Sequence, residues 1–253
     1  MAFVLFFVTQ CSVFASQRNA STEFDLSDLK SADVQKRIAA FDKIKSNPDA
    51  LERPEVKAAL IDLLDRENTY HATPPEATGV TSEDDDWEGY GDYWSDLADT
   101  VDRIADWHNP RQLCILARSS YGPLSSFAQK LATNGGSLVA PCLLKMSRGN
   151  KLDRDVSLSG LVMVLAFNQN LLPALRQEIN QAILIGLRDP ESFVRDDTVI
   201  AVGKYGKPEM IPVLEGIAQT DPYSHLVNEK PVFDVREAAA RAIRAIQDRA
   251  KAH

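Results

Sequence analysis

Cysteine and histidine, which often bind metals or act as nucleophiles, are scarce: the 253-residue chain has three cysteines and four histidines. No two cysteines have the Cys-x-x-Cys spacing of a redox motif or a zinc knuckle. A metal-binding pair on a helix needs two histidines four residues apart. No pair has that spacing, so we interpret all four as solvated side chains: His71, His108, His225 and His253.

The sequence also lacks the common catalytic motifs. It contains no Gly-x-Ser-x-Gly, no phosphate-binding glycine loop and no His-Glu-x-x-His. We therefore expect a protein that is not an enzyme and that needs no cofactor.

Positive charge and long apolar runs are limited as well. The net charge is −8, and an acidic surface repels phosphate, which argues against nucleic acid and anionic membranes as general partners. After the N-terminus, no apolar run reaches the roughly 20 residues that a membrane-spanning helix needs, so a membrane-spanning protein is not expected. No stretch alternates apolar and polar residues with a period of two, which argues against strands.

The N-terminus differs from the rest of the chain. Residues 2–8 are all apolar, and Val13-Phe14-Ala15 supplies a small-residue cleavage site before Ser16. This pattern predicts a signal peptide over residues 1–15 and a periplasmic or secreted protein. No Lys or Arg precedes the apolar run, so a buried N-terminal helix or strand is the alternative. Residues 16–30 are polar, and we interpret them as a linker or a capping segment.

Helical periodicity dominates residues 31–253. Val34, Ile38, Phe41 and Ile44 recur at spacings of four, three and three, which places them on one face of a helix. Similar stripes follow to the C-terminus, separated by helix-breaking residues such as Asn109-Pro110 and Asn134-Gly135-Gly136. The sequence therefore predicts an all-α fold.

Residues 187–214 carry the most specific pattern in the chain. They resemble a HEAT repeat of the short type found in phycobilisome lyases. An Asp-Pro turn starts a first helix with small inner residues, two glycines end it, and a proline opens the second helix. The residues that carry the resemblance are Asp189-Pro190, Val194-Arg195, Ala201, Gly203, Gly206, Pro208, Ile211-Pro212 and Leu214.

A second copy follows with Asp221-Pro222 and Asp234-Val235-Arg236. The interval from Val194 to Val235 is 41 residues, which includes an insertion centred on residues 223–232. Weaker copies run upstream from Leu124, without the Asp-Pro and Val-Arg signatures.

The resemblance implies a solenoid of stacked helix pairs, an α-α superhelix, whose successive second helices form a groove. It implies a non-enzymatic scaffold that binds a protein or peptide partner through that groove. The alternatives are a lyase-like or accessory protein that assists an enzyme or cofactor attachment, and a structural domain of an envelope assembly. In such repeats, charged residues like Asp189, Arg195, Asp234 and Arg236 tie one repeat to the next.

Residues 70–93 interrupt the helical pattern with prolines, glycines and acids, and we predict a long acidic loop there. Acid next to aromatic side chains suits a basic or amphipathic peptide, which makes this loop the candidate partner contact. The candidate residues are Asp84, Asp85, Asp86, Trp87 and Tyr90. Two alternatives remain: the aromatic residues pack in the core, or the loop binds calcium, although Ser95 stands where an EF-hand needs a glutamate.

Cys114 and Cys142 lie 28 residues apart, near one repeat period. Equivalent positions in neighbouring repeats lie roughly 10 Å apart, so a disulfide needs a favourable offset between the two helices. The two alternatives are a disulfide, which an oxidising compartment permits, and a pair of buried free thiols.

Overall fold

The computed structural model describes residues 25–71, 86–119 and 126–252. Within these ranges the helices are α1 (Val34–Lys45), α2 (Pro48–Leu51), α3 (Pro54–His71), α4 (Asp86–Ile104), α5 (Pro110–Arg118), α6 (Ser126–Met146), α7 (Lys151–Phe167), α8 (Pro173–Gly186), α9 (Ser192–Tyr205), α10 (Ile211–Thr220) and α11 (Asp234–Lys251). Short 3-10 helices cover Asp28–Lys30 and Pro208–Met210. The prediction of an all-α fold is confirmed.

Local sequence signals account for many helix starts. The side chains of Asp33, Asn109 and Asn150 each accept hydrogen bonds from two backbone N–H groups in the first turn of the helix that follows. Proline occupies the first position of several helices, including α5 and α8, where its missing N–H costs nothing.

The predicted helix break at Asn134-Gly135-Gly136 is a sharp bend within α6. Gly136 has a φ of 24° and a ψ of −107°, a conformation that L side chains rarely adopt. A Cβ on Gly136 would lie 2.1 Å from Oδ1 of Asn168. Glycine is therefore required at this bend both for its conformation and for space.

Successive helices pack on one another. In the C-terminal half, α6 packs on α7, α7 on α9, and α9 on α11, while α10 packs on α11. A hydrophobic core runs through these contacts and continues to α1, α3 and α4 near the N-terminus. A Cβ on Gly203 of α9 would lie 2.8 Å from Cβ of Ala242 in α11, so glycine allows this close approach.

Three expectations about connecting segments need correction. The helical pattern does not stop at residue 70, because α3 runs to His71 and α4 begins at Asp86, so only part of 70–93 lies between helices. The linker predicted over residues 16–30 is packed at its end, where Leu29 is buried and its carbonyl accepts a hydrogen bond from Arg66. The insertion 223–232 contains an antiparallel hairpin, β1 (His225–Val227) and β2 (Lys230–Val232).

The hairpin escaped the sequence analysis because its strands are only three residues long and exposed, so no apolar alternation marks them. Asn228 and Glu229 at its turn have φ values of 49° and 64°. Two adjacent residues with positive φ form the tight turn that suits the twist of a two-residue hairpin loop.

Candidate functional site

Two adjoining cavities form a groove between α8 and α10 on the surface of the described residues. The first has a volume of about 450 Å³. Its floor consists of the buried side chains of Val162, Ile183 and Val202, from three different helices. Its walls are half-buried apolar side chains: Leu165, Leu184, Tyr205, Met210 and Val213.

The second cavity, of about 550 Å³, continues along α10. Val213 lines both cavities, so the two adjoin at this residue along α10. Gly216 also lines the second cavity, and a Cβ there would meet no atom within 4 Å. Glycine at this exposed helical position therefore widens the groove without being needed for packing.

A third concavity, of about 380 Å³, lies on the opposite flank of α8. It includes Ile185, whose side chain is among the most exposed large apolar groups of the described residues at 60%. Both flanks of α8 are thus open, and α8 forms a ridge between two depressions.

The rim of the α8–α10 groove carries three cations and one carboxylate. Arg176, Lys207 and Glu209 border the first cavity, and Arg188 borders the second. The Nη2 of Arg176 donates to the carbonyls of Asn168 and Gln169, which holds its guanidinium in place. Within the part of the chain that the structure describes, none of these four side chains makes an ion pair.

Two arginine–aspartate pairs hold the turns next to the second cavity. Arg195 donates from Nε and Nη2 to both carboxylate oxygens of Asp221, at 2.7 and 2.9 Å. Arg154 does the same to Asp189, at 2.7 and 3.0 Å. Burial acts to raise the pKa of Asp221, but the hydrogen bonds from Arg195 and from the backbone of Tyr223 outweigh it and leave that pKa lowered.

These pairs join residues that are 35 and 26 positions apart in the sequence, rather than charged residues of the same turn. Arg195 contacts Asp189 only through the backbone carbonyl of that residue. The carboxylate of Asp189 accepts its hydrogen bonds from Arg154 instead. Arg236 donates to the carbonyl of Asp221 rather than to Asp234. The sequence showed which residues take part, but their pairing depends on how the helices stack.

A second group of acids lies between α7 and α9 and away from the groove. Asp155 and Asp197 face each other across this seam, and Oδ1 of Asp155 is buried without a hydrogen-bond partner among the described residues. Burial, together with the charge of Asp197, raises the pKa of Asp155 to about 8. Burial also raises the pKa of Asp196 and of Asp197. None of the three cavities described above is lined by this group, so we do not assign it a role in binding.

Of the candidate partner contacts predicted from the acidic segment, Asp84 and Asp85 lie outside the described residues, and Asp86 and Trp87 form the start of α4. Tyr90 is 2% exposed, and its hydroxyl donates to Oε2 of Glu67 at 2.7 Å. The prediction that Tyr90 contacts a partner is corrected: it is a core residue.

A helical pattern in the sequence is consistent with the burial of Tyr90. Tyr90, Trp94, Leu97 and Val101 recur at spacings of four, three and four and are all buried. Gly89 and Gly91 obscured the stripe, because glycines inside a helix are uncommon. The same helix argues against the calcium alternative, since an EF-hand loop is not helical from its third position onward.

Cys114 of α5 and Cys142 of α6 form a disulfide, with Cα atoms 5.6 Å apart. That separation lies in the usual range for a bridge. Of the two alternatives left by the sequence, the structure has the disulfide.

Elsewhere in the described ranges, no group of three or more His, Cys, Asp or Glu side chains is placed to bind a metal ion. Across residues 25–71, 86–119 and 126–252, no helix has both the length and the apolar character of a bilayer crossing.

A comparison with protein-family models gives no match, and a comparison with curated proteins gives none either.

Proposed function

We propose that the chain is an exported scaffold that binds an extended peptide segment of a partner protein in the groove between α8 and α10. In this proposal the helix pairs form an α-α superhelix of the HEAT type, and the groove belongs to the second helices of neighbouring pairs. The protein performs no chemistry on the partner.

One observation carries the proposal: two cavities with largely apolar linings lie side by side along α10 and adjoin at Val213. The lining runs from Met210, just before α10, to Thr220 at its end, a span of about 15 Å along the helix. An extended peptide of about four or five residues matches that length. The elongated shape favours a peptide over a compact small molecule, which a single enclosed cavity would suit better.

Two features support export. Disulfides persist in oxidising compartments and are rare in the cytosol, and Cys114 and Cys142 are bridged. The apolar residues 2–8 and the Val13-Phe14-Ala15 site match a secretory signal. Mass spectrometry of the native protein should find an N-terminus close to Ser16, whereas an intact Met1 in a cytoplasmic fraction would contradict export.

Gly216→Trp tests the groove directly. A tryptophan there fills the second cavity, and because a Cβ at Gly216 meets no atom, the fold should tolerate it. Gly91→Trp is the matched control: Gly91 is also helical, exposed and open, but it lies in α4.

Peptides selected from a random displayed library on the wild-type protein should bind Gly91→Trp and fail to bind Gly216→Trp. Both variants should keep the helical circular dichroism spectrum. If the selected peptides bind Gly216→Trp as tightly as the wild type, the groove is not the binding site.

A further inference from the structure

The charges on the rim of the α8–α10 groove indicate what kind of peptide it accepts. The chain as a whole is acidic, with a net charge of −8. Yet the rim carries Arg176, Arg188 and Lys207 against the single carboxylate of Glu209. The groove is therefore a basic region on an acidic molecule.

The other charged residues that line the second cavity do not change this balance. Arg195 is neutralised by Asp221, and Asp189 by Arg154. Lys207 and Arg188 are exposed, and neither makes an ion pair with any described residue. Their charges remain available to a ligand.

The apolar part of the first cavity fixes the second property of the ligand. The residues of its floor are buried. The wall residues Leu165, Leu184 and Met210 are only half-buried, and they present apolar surface to the open cavity. At about 450 Å³ the cavity has room for a large side chain such as Leu or Phe. Seating an apolar side chain there removes apolar surface from water on both partners.

Resting on the proposed function, we propose that the peptide presents a large apolar side chain flanked by carboxylates. The apolar side chain occupies the first cavity, and the carboxylates lie against Arg176 and Lys207 at the rim, with Arg188 further along the groove. The sign of this charge is opposite to the basic partner expected from the acidic segment at residues 84–86.

The test uses two fluorescein-labelled peptides that share a central Leu-Phe pair, flanked by Asp in one and by Lys in the other. Fluorescence anisotropy with the wild-type protein at low ionic strength should show the Asp-flanked peptide binding about tenfold tighter. The difference should shrink at 1 M salt, where charges are screened beyond about 3 Å.

Substitutions at two exposed rim residues should change the affinity for the Asp-flanked peptide in opposite directions. Lys207→Gln should weaken the Asp-flanked peptide by about twofold to fivefold, the usual range for one exposed charge pair. Glu209→Gln should strengthen it by about twofold. Both residues are exposed, so neither substitution should alter folding.

The outcomes separate this inference from the proposed function. If the Lys-flanked peptide binds equally well or better, and Gly216→Trp abolishes its binding, the groove binds peptides but the inference is wrong. If neither peptide binds while library-selected peptides do, the inference is wrong and the proposed function stands; if no library peptide binds either, the proposed function is wrong as well. If only a free apolar acid such as decanoate binds, the occupant is a small molecule and the peptide assignment is wrong.

Discussion

Arg37 near the N-terminus and Arg195 near the C-terminus each occupy the fourth position of their helix, α1 and α9. Each donates from Nη1 to the carbonyls five and six residues back, and from Nε and Nη2 to both oxygens of one carboxylate. The acceptors differ. Arg37 binds Glu67, in the interior of α3, and Arg195 binds Asp221, in the turn after α10.

The surroundings of the two carboxylates differ as well. Glu67 is 1% exposed and also accepts hydrogen bonds from the hydroxyls of Tyr90 and Tyr93. Asp221 accepts a backbone N–H from Tyr223 in an exposed turn. The same arginine geometry therefore binds a carboxylate inside a helix near the N-terminus and a carboxylate in a turn between helices near the C-terminus. Only the turn has an Asp-Pro signature that can be recognised in the sequence.

Removing each arginine tests whether depth of burial sets the cost. Arg37→Ala leaves the Glu67 carboxylate buried without its cation and should lower the free energy of unfolding by about 3–5 kcal/mol. Arg195→Ala should cost less, about 2–3 kcal/mol, because Asp221 is slightly less buried than Glu67 and keeps the nearby charge of Arg236. Urea unfolding followed by circular dichroism measures both.

Arg241→Ala is the control, since Arg241 and Glu237 form an exposed pair at 3.7 Å, and it should change stability by less than about 0.5 kcal/mol. An equal or larger loss for Arg195→Ala would show that depth of burial does not distinguish the two sites.

The disulfide between α5 and α6 joins the two regions being compared. Replacing Cys114 and Cys142 by Ala removes a 28-residue cross-link, which should cost about 2–4 kcal/mol. We also expect the urea transition to broaden, because the N-terminal and C-terminal helices can then unfold separately. Dithiothreitol should reproduce the effect in the wild type and leave the double variant unchanged; a wild type insensitive to reduction would contradict the prediction.

Tyr90→Phe tests the additional hydrogen bonds to Glu67. It removes a donor to a charged, buried acceptor and should cost about 1.5–3 kcal/mol. Tyr223→Phe, at a half-exposed position beside Asp221, should change stability by less than about 0.5 kcal/mol. Peptide binding should be unaltered in both variants. Weaker binding by Tyr90→Phe without loss of stability would restore Tyr90 as a partner contact.

Asp155 and Asp197 provide a contrast to both arginine-bound carboxylates, because here one carboxyl faces another. The folded-state pKa of Asp155 is raised to about 8, well above its unfolded value. The folded state therefore holds the proton more tightly, and this contribution to stability is lost as the pH rises from about 4 towards 8.

Asp155→Asn should flatten that decline and raise the melting temperature at pH 8 by about 2–4 °C, equivalent to about 1 kcal/mol. Melting curves at pH 5 and pH 8 measure this, with the exposed Asp248→Asn as control. A variant whose stability falls with pH as steeply as the wild type would mean that the pair does not titrate in this range.

Much of the fold followed from the sequence because it depends on residues close together in the chain. Capping residues such as Asn109 and Asn150, prolines in first turns and the glycine bend at Gly136 act within one or two helical turns. The apolar periodicity that predicts helices is local too. These signals were sufficient for the all-α class.

The resemblance to stacked helix pairs predicts a groove along the second helices, and we propose the α8–α10 groove as that surface. The sequence could not show that Arg176 and Lys207 share its rim, since they are distant in the chain and come together only when α8 lies beside α10.

The tertiary structure alone decided which polar residues are buried and with what partners. Glu67 and Asn68 look like ordinary surface residues of α3, yet Asn68 donates to the carbonyl of Ile115, 47 residues away. The side chain of Tyr90 can be buried because Glu67 accepts a hydrogen bond from its hydroxyl group. A buried polar group is tolerated only when it is hydrogen-bonded, and such partners come from helices that are adjacent in space but not in sequence.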